Sequence, residues 1–196
     1  MLKVGLTGNY CSGLDSIGNI FKKSKIPVFE SDLIIKFMFY NNSETIKKIH
    51  KEFGKSVFTD NVLDMSAFQD PADFKKLIKL IELDLIRAFE KWKLQQTGNY
   101  CIFKSQILYE LGWNSLMNLN ITVFKPNGLR VEDIQIRNKV TVADAYGMME
   151  NEMDLFQKNR LSDYTIHNYP AYRDSLERQI ATIDKSITSK SFIHST

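Results

Sequence analysis

The stretch Gly8-Asn9-Tyr10-Cys11-Ser12-Gly13-Leu14-Asp15-Ser16 constrains the fold of this chain more than any other. It follows an apolar run, residues 2–7, that reads as a buried strand. It opens onto Ile17, Ile20 and Phe21, which share one face of a helix over 15–24. A strand that turns through glycines straight into a helix is the start of a crossover unit. The same alternation continues downstream. Short apolar runs at 27–30, 100–103, 121–124 and 164–166 read as strands, and 57–59 with 62–63 around Asp60-Asn61 as a small hairpin. Helical spacing predicts a helix after Asp32, which would cap it, then helices over 43–53, ended by Gly54, and over most of 71–95. Further helices are predicted around 107–111 and over 129–137, 142–152, 154–161 and 174–187, before a polar, frayed tail from 188. Strands alternating with helices imply an α/β fold whose sheet has about five mainly parallel strands.

Composition narrows the function classes. The chain has 196 residues, 43% hydrophobic and 25% charged, which is enough apolar mass for one domain with a real core. Disordered and fibrous classes are excluded. Lysine and arginine total 26 against 23 acids, a net charge of +3, too mild to point to nucleic acid or to a membrane surface. The run Lys22-Lys23-Ser24-Lys25 reads as a solvated helix end. Cys11 and Cys101 read as reduced thiols, and His50, His167 and His194 lack metal-ligand spacing, so no metal site is expected. No apolar run approaches the length of a membrane span and no leader is evident, so a cytoplasmic, non-membrane protein is expected.

The glycine turn carries the chemistry. Gly8 and Gly13 have the spacing of the phosphate-binding loop G-x-x-x-x-G-K-[ST], in which backbone N–H groups and a helix N-terminus face a phosphate. Two positions depart from it. Leu14 stands where the lysine belongs, and Asp15 where a hydroxyl would hold magnesium. Loss of one such donor costs about 3 kcal/mol of transition-state stabilisation. Asp15 is itself a candidate magnesium ligand, although its charge would oppose the phosphates. The turn is read either as a phosphate cradle (residues 8–16) or as a simple strand-to-helix link.

Beyond the turn, the sequence resembles the dephospho-CoA kinases. The opening Met1-Leu2-Lys3-Val4-Gly5-Leu6-Thr7-Gly8 is similar to theirs, as are Ile26-Pro27-Val28-Phe29-Glu30-Ser31-Asp32, Phe53-Gly54, Val62-Leu63-Asp64 and Gln106-Ile107-Leu108-Tyr109-Glu110-Leu111-Gly112-Trp113. Of the family's His-Pro-x-Ile-Arg, only Ile86 and Arg87 remain. Arg137 is kept, whereas Asp133 and Met148 replace arginines, Met65 replaces another, and Glu152 replaces a glutamine. Met153, Lys158, Asp163-Tyr164 and Asn168 resemble the closing segment. The resemblance covers about residues 1–187. It implies a three-layer P-loop kinase fold with a helical CoA-type insert over about 32–97, a lid over about 129–161, and a polar tail at 188–196. It also implies ATP-dependent phosphorylation of the ribose 3′-hydroxyl of dephospho-CoA, a step of coenzyme A biosynthesis, with ATP and Mg2+ as cofactors if the chain is active.

The resemblance makes Asp32 the candidate base, and Glu30, Arg87 and Glu110 candidate substrate contacts. Arg137 joins the turn as a candidate nucleotide contact, because its forked donors suit a phosphate. Each has a plainer reading: a helix cap for Asp32, a solvated acid for Glu30, packed surface arginines for Arg87 and Arg137, and a helix contact for Glu110. Lys104 and Lys125 follow strands, where ligands approach α/β sheets, and either could stand in for the missing lysine. The departures fall on chemical rather than core positions. The expectation is a kinase-like protein whose transfer reaction is weak or lost, with a nucleotide- or CoA-binding pseudoenzyme, or a protein-interaction module, as alternatives.

Overall fold

The computed structural model describes residues 1–60 and 62–193. Five strands form one parallel sheet: β1 (Leu2–Gly8), β2 (Val28–Glu30), β5 (Tyr100–Lys104), β6 (Leu119–Phe124) and β7 (Tyr164–His167), ordered β2-β5-β1-β6-β7. The order places β1 at the centre, flanked by β5 in the register Val4↔Ile102 and Leu6↔Lys104, and by β6 in the register Leu6↔Ile121. This is the parallel α/β sheet that the alternation of elements predicts.

Alternation along the strands divides the core. One face of the sheet carries Val4, Leu6, Ile102, Ile121, Val123 and Ile166, all fully buried. They pack against Leu14, Ile17 and Phe21 of α1 (Leu14–Lys23) and against Ile180, Ile183 and Ile187 of α9 (Leu176–Ile193). The opposite face meets the turns after β5, where Trp113 packs edge-on against Phe103, and α8 (Leu155–Leu161), whose Lys158 carbonyl accepts from Thr122. Between β6 and β7 run α6 (Asn127–Asn138), α7 (Val142–Met149) and α8. A full capping box at Thr141 and Asp144 starts α7, and the Asp154 side chain caps α8.

The chain divides into two compact units, residues 1–29 with 96–196, and residues 30–95. The second contains α2 (Ser31–Asn41), α3 (Ser43–Phe53), the hairpin β3 (Phe58–Thr59) and β4 (Val62–Leu63), α4 (Pro71–Lys79) and α5 (Glu82–Lys93). Its core holds Ile49, Leu77, Ile78, Ile81 and Leu85. Among the described residues, no helix is long and apolar enough to cross a membrane.

Several boundaries differ from the sequence reading. The helical run over 71–95 divides at Leu80-Ile81, between α4 and α5, where Ile81 is fully buried and occupies the capping position of α5. Residues 107–111 form successive turns rather than a helix, closed by bonds from the Gly112 and Trp113 N–H groups to the Tyr109 and Leu108 carbonyls. The last helix begins at Leu176 after a 3-10 turn (Pro170–Ser175) and runs on to Ile193, through the start of the expected tail. There the Ser189 hydroxyl bonds back to the Lys185 carbonyl. Asn61 and His194 lie outside the described residues.

Candidate functional site

The sheet ends in the turn that the sequence singles out. β1 runs to Gly8, and α1 begins at Leu14, so residues 9–13 make the bend. Gly13 has φ +89°, and a methyl group there would lie 2.0 Å from Asn168 Nδ2, so glycine is required on both counts. Asn168 in turn donates to the Ser12 carbonyl at 2.7 Å. Ser12 N–H closes the bend onto the Asn9 carbonyl at 2.9 Å. Ser12 Oγ lies over Gly8, 2.4 Å from where a methyl would sit, fully buried and without a hydrogen-bond partner among the described residues.

A second set of bonds fixes the first half of the bend from the segment after α7. Asn9 Nδ2 donates to the Met153 carbonyl at 2.9 Å, and Tyr10 N–H to Glu152 Oε1 at 2.6 Å. Arg130, only 1% exposed, donates through Nε to the Tyr10 carbonyl at 2.8 Å and through its fork to Asn127 and Glu152. Tyr10 and Cys11 pack on a small cluster of Val131, Ile134 and Ala145. Arg137 places its guanidinium over the Tyr10 ring, 5.4 Å from the centroid. Burial pushes the Cys11 thiol up, against the opposing pull of Arg137.

The two departures from the phosphate-loop pattern have definite places. Leu14 points into the core with Ile17 and Phe21. Asp15, 77% exposed at its side chain, accepts a bond from Lys104 Nζ at 2.5 Å. Lys125 pairs instead with Asp133 on α6. Glu110 lies with the segment after α7: Lys158 Nζ sits 2.7 Å from its Oε1 and donates to the Gln106 carbonyl, and Met153 N–H approaches the same carboxylate oxygen at 3.4 Å. Burial holds the Lys158 ammonium below the ordinary lysine range, although Glu110 pulls it the other way.

The remaining candidates belong to the helical unit. Asp32 is not the cap of α2. β2 passes directly into the helix, so the capping position falls on Glu30 and Asp32 lies in the first turn. There Asp32 is half-buried and accepts from Ser31 Oγ at 3.5 Å. Arg87 on α5 is 79% exposed and pairs with Asp84 at 3.7 Å. The structure thus brings residues 8–16 and Arg137 together and ties Glu110 to the Met153 segment that holds the bend, while Glu30, Asp32 and Arg87 belong to the helical unit.

Sequence reasoning missed Arg130, which nothing in its local context marks as buried, and gave Asn168 and Lys158 no task. The magnesium ion implied by the kinase resemblance fits this donor set poorly. The carboxylate at position 15, where the metal-holding hydroxyl would stand, is already paired with the Lys104 ammonium.

Comparison with known proteins bears on this arrangement. The family model for dephospho-CoA kinase matches residues 2–174. The dephospho-CoA kinase of Lactobacillus johnsonii is 26% identical over 194 residues, covering 94% of this chain and 97% of that one. The dephospho-CoA kinase of Listeria monocytogenes is 21% identical, over 95% and 98%. Among solved structures, TT1252 from Thermus thermophilus superposes with a TM-score of 0.78 at 19% identity, covering 94% of this chain and 97% of that one. Strand order, central glycine turn and near full-length family match agree, and the chain belongs to the dephospho-CoA kinase family.

Proposed function

We propose that this chain binds a nucleotide at the Gly8–Ser16 turn and that its phosphorylation of the ribose 3′-hydroxyl of dephospho-CoA is weak or lost. The observation that carries the reading is the contrast within one turn. Residues 8–13 form the glycine-spaced bend between β1 and α1, held by Asn168, Glu152 and Arg130, which supports the reading as a cradle. Positions 14 and 15, which in a working loop supply the lysine and the metal-holding hydroxyl, are a core leucine and an ion-paired aspartate. Arg137, already beside the turn, is the assigned nucleotide contact. Asp32 is the assigned base for whatever transfer survives, and Glu30, Arg87 and Glu110 are the assigned substrate contacts.

Phosphoryl transfer depends on positioning and charge neutralisation, and the loss of one donor lowers the rate by about 100-fold or more. Coupled turnover with ATP–Mg2+ and dephospho-CoA, at high protein concentration, should therefore stay near background. Calorimetric titration with ATP should show saturable binding. A robust rate that disappears in Asp32→Ala would overturn the loss of transfer, and absence of ATP binding would overturn the cradle.

A further inference from the structure

We propose that Lys104 is the phosphate-holding cation of the glycine turn, delivered from β5 instead of from position 14, and that Asp15 keeps its ammonium in place until the polyphosphate of a nucleotide displaces the carboxylate. The proposal rests on the reading of residues 8–16 as a phosphate cradle and specifies where its positive charge comes from. Lys104 is the last residue of β5, level with Leu6 in the neighbouring central strand, two residues before that strand ends at Gly8. Its side chain is 4% exposed, yet its ammonium emerges at Asp15 in the first turn of α1, beside a side chain that is 77% exposed. A lysine stem has been threaded through the interior to bring one charge to the mouth of the turn.

The path is built. The stem crosses α1 at Gly18, where an added methyl would lie 3.1 Å from Lys104 Cδ. Glycine inside a helix is destabilising relative to alanine, and here it leaves the lysine its room. Stability alone explains this arrangement poorly. Taking an ammonium out of water is costly, while a pair with a solvent-exposed carboxylate gives back little. A polyphosphate carries more charge than one carboxylate and reaches the same ammonium through charge-assisted bonds. An independent observation points to a ligand in the same glycine turn: Ser12 Oγ, over Gly8, is fully buried without a hydrogen-bond partner among the described residues.

The test is calorimetric titration of the full chain with ATP at low salt in the presence of a chelator, so that no divalent cation supplies the charge. Lys104→Met, which keeps the length of the stem, should weaken binding about 10-fold or more, and Asp15→Asn should tighten it several-fold by removing the competing carboxylate. Equal affinity of wild type and a folded Lys104→Met would overturn the assignment of Lys104 and leave the cradle intact. If Lys104→Met fails to fold, Asp15→Asn decides: unchanged or weaker binding overturns the assignment. Failure of both wild type and Asp15→Asn to bind ATP, with or without Mg2+, would instead overturn the cradle itself.

Discussion

The two units of this chain use charge in opposite ways. In the sheet unit, Lys104, Arg130 and Lys158 are each 4% exposed or less and reach partners far along the chain. In the helical unit, ion pairs lie in solvent: Lys47 with Glu44, Lys48 with Asp84, Lys76 with Glu52 and Arg87 with Asp84. Solvated pairs contribute little and are replaceable, whereas a buried charge that loses its partner is strongly destabilising. Burying three cations around one bend is a poor way to stabilise a sheet whose core is already apolar. Of the three, Arg130 holds irregular backbone directly, through the Tyr10 carbonyl. The difference teaches where this molecule commits buried charge to long-range contacts and where its charges stay in solvent.

The largest expected effect is at Arg130. Arg130→Met would leave the Glu152 carboxylate and the Tyr10 carbonyl without the guanidinium that both use. Urea unfolding should show a loss of about 3–4 kcal/mol, the cost of breaking a buried pair. A loss below about 1 kcal/mol would mean that the bend is held without Arg130, and the contrast between the units would lose its best example.

The Lys158–Glu110 pair comes next, because Glu110 is 24% exposed and water offsets part of the penalty. Lys158→Met should cost about 2–3 kcal/mol, and adding Glu110→Leu should recover most of it, since an apolar pair of similar volume replaces a buried ion pair at little cost. The pH dependence has a definite sign. The buried Lys158 ammonium gives up its proton more readily in the folded protein than in the unfolded chain. The unfolded chain therefore binds more protons in the window below the ordinary value of 10.5, and stability from this group rises with pH there and is lost as pH falls through the folded value. Burial and the bond to Asp184 raise the Tyr100 phenol, whose contribution instead falls at alkaline pH. Comparing wild type with Lys158→Met between about pH 8 and 10 cancels the Tyr100 effect. A difference that does not change with pH would show that Lys158 keeps its ordinary acidity.

Much of the fold was legible because it depends on local pattern. The apolar runs at β1, β5, β6 and β7 and the helical stripe of Ile17 and Phe21 carry their partners' requirements in their own periodicity. The bend was legible for a similar reason, as glycine spacing records backbone shape. What holds the bend was not. Lys104 meets Asp15 across 89 residues, Arg130 meets Tyr10 across 120, and Lys158 meets Gln106 across 52. A basic residue destined for burial looks, in sequence, like one destined for solvent. Asp32 shows the local limit: an acid before a helical run reads as a cap, but β2 enters α2 without a loop and moves the helix start ahead of it.

The smallest effect tests the other side of the contrast. Lys48 Nζ lies 2.7 Å from Asp84 Oδ2, as short as the Lys158–Glu110 contact, but the two side chains are 46% and 39% exposed. If distance governed the energy, the two pairs would couple equally. If burial governs it, a double-mutant cycle on Lys48→Ala and Asp84→Ala should give less than about 0.5 kcal/mol, and most of that should vanish at about 1 M salt, where the screening length falls to about 3 Å. Arg87 also faces Asp84, so the cycle should be repeated in an Arg87→Ala background to keep the spare arginine from masking the coupling. A coupling above about 2 kcal/mol in that background would place the helical unit's charges on the same footing as those around the bend, and burial would no longer explain why only one unit threads its lysines inward.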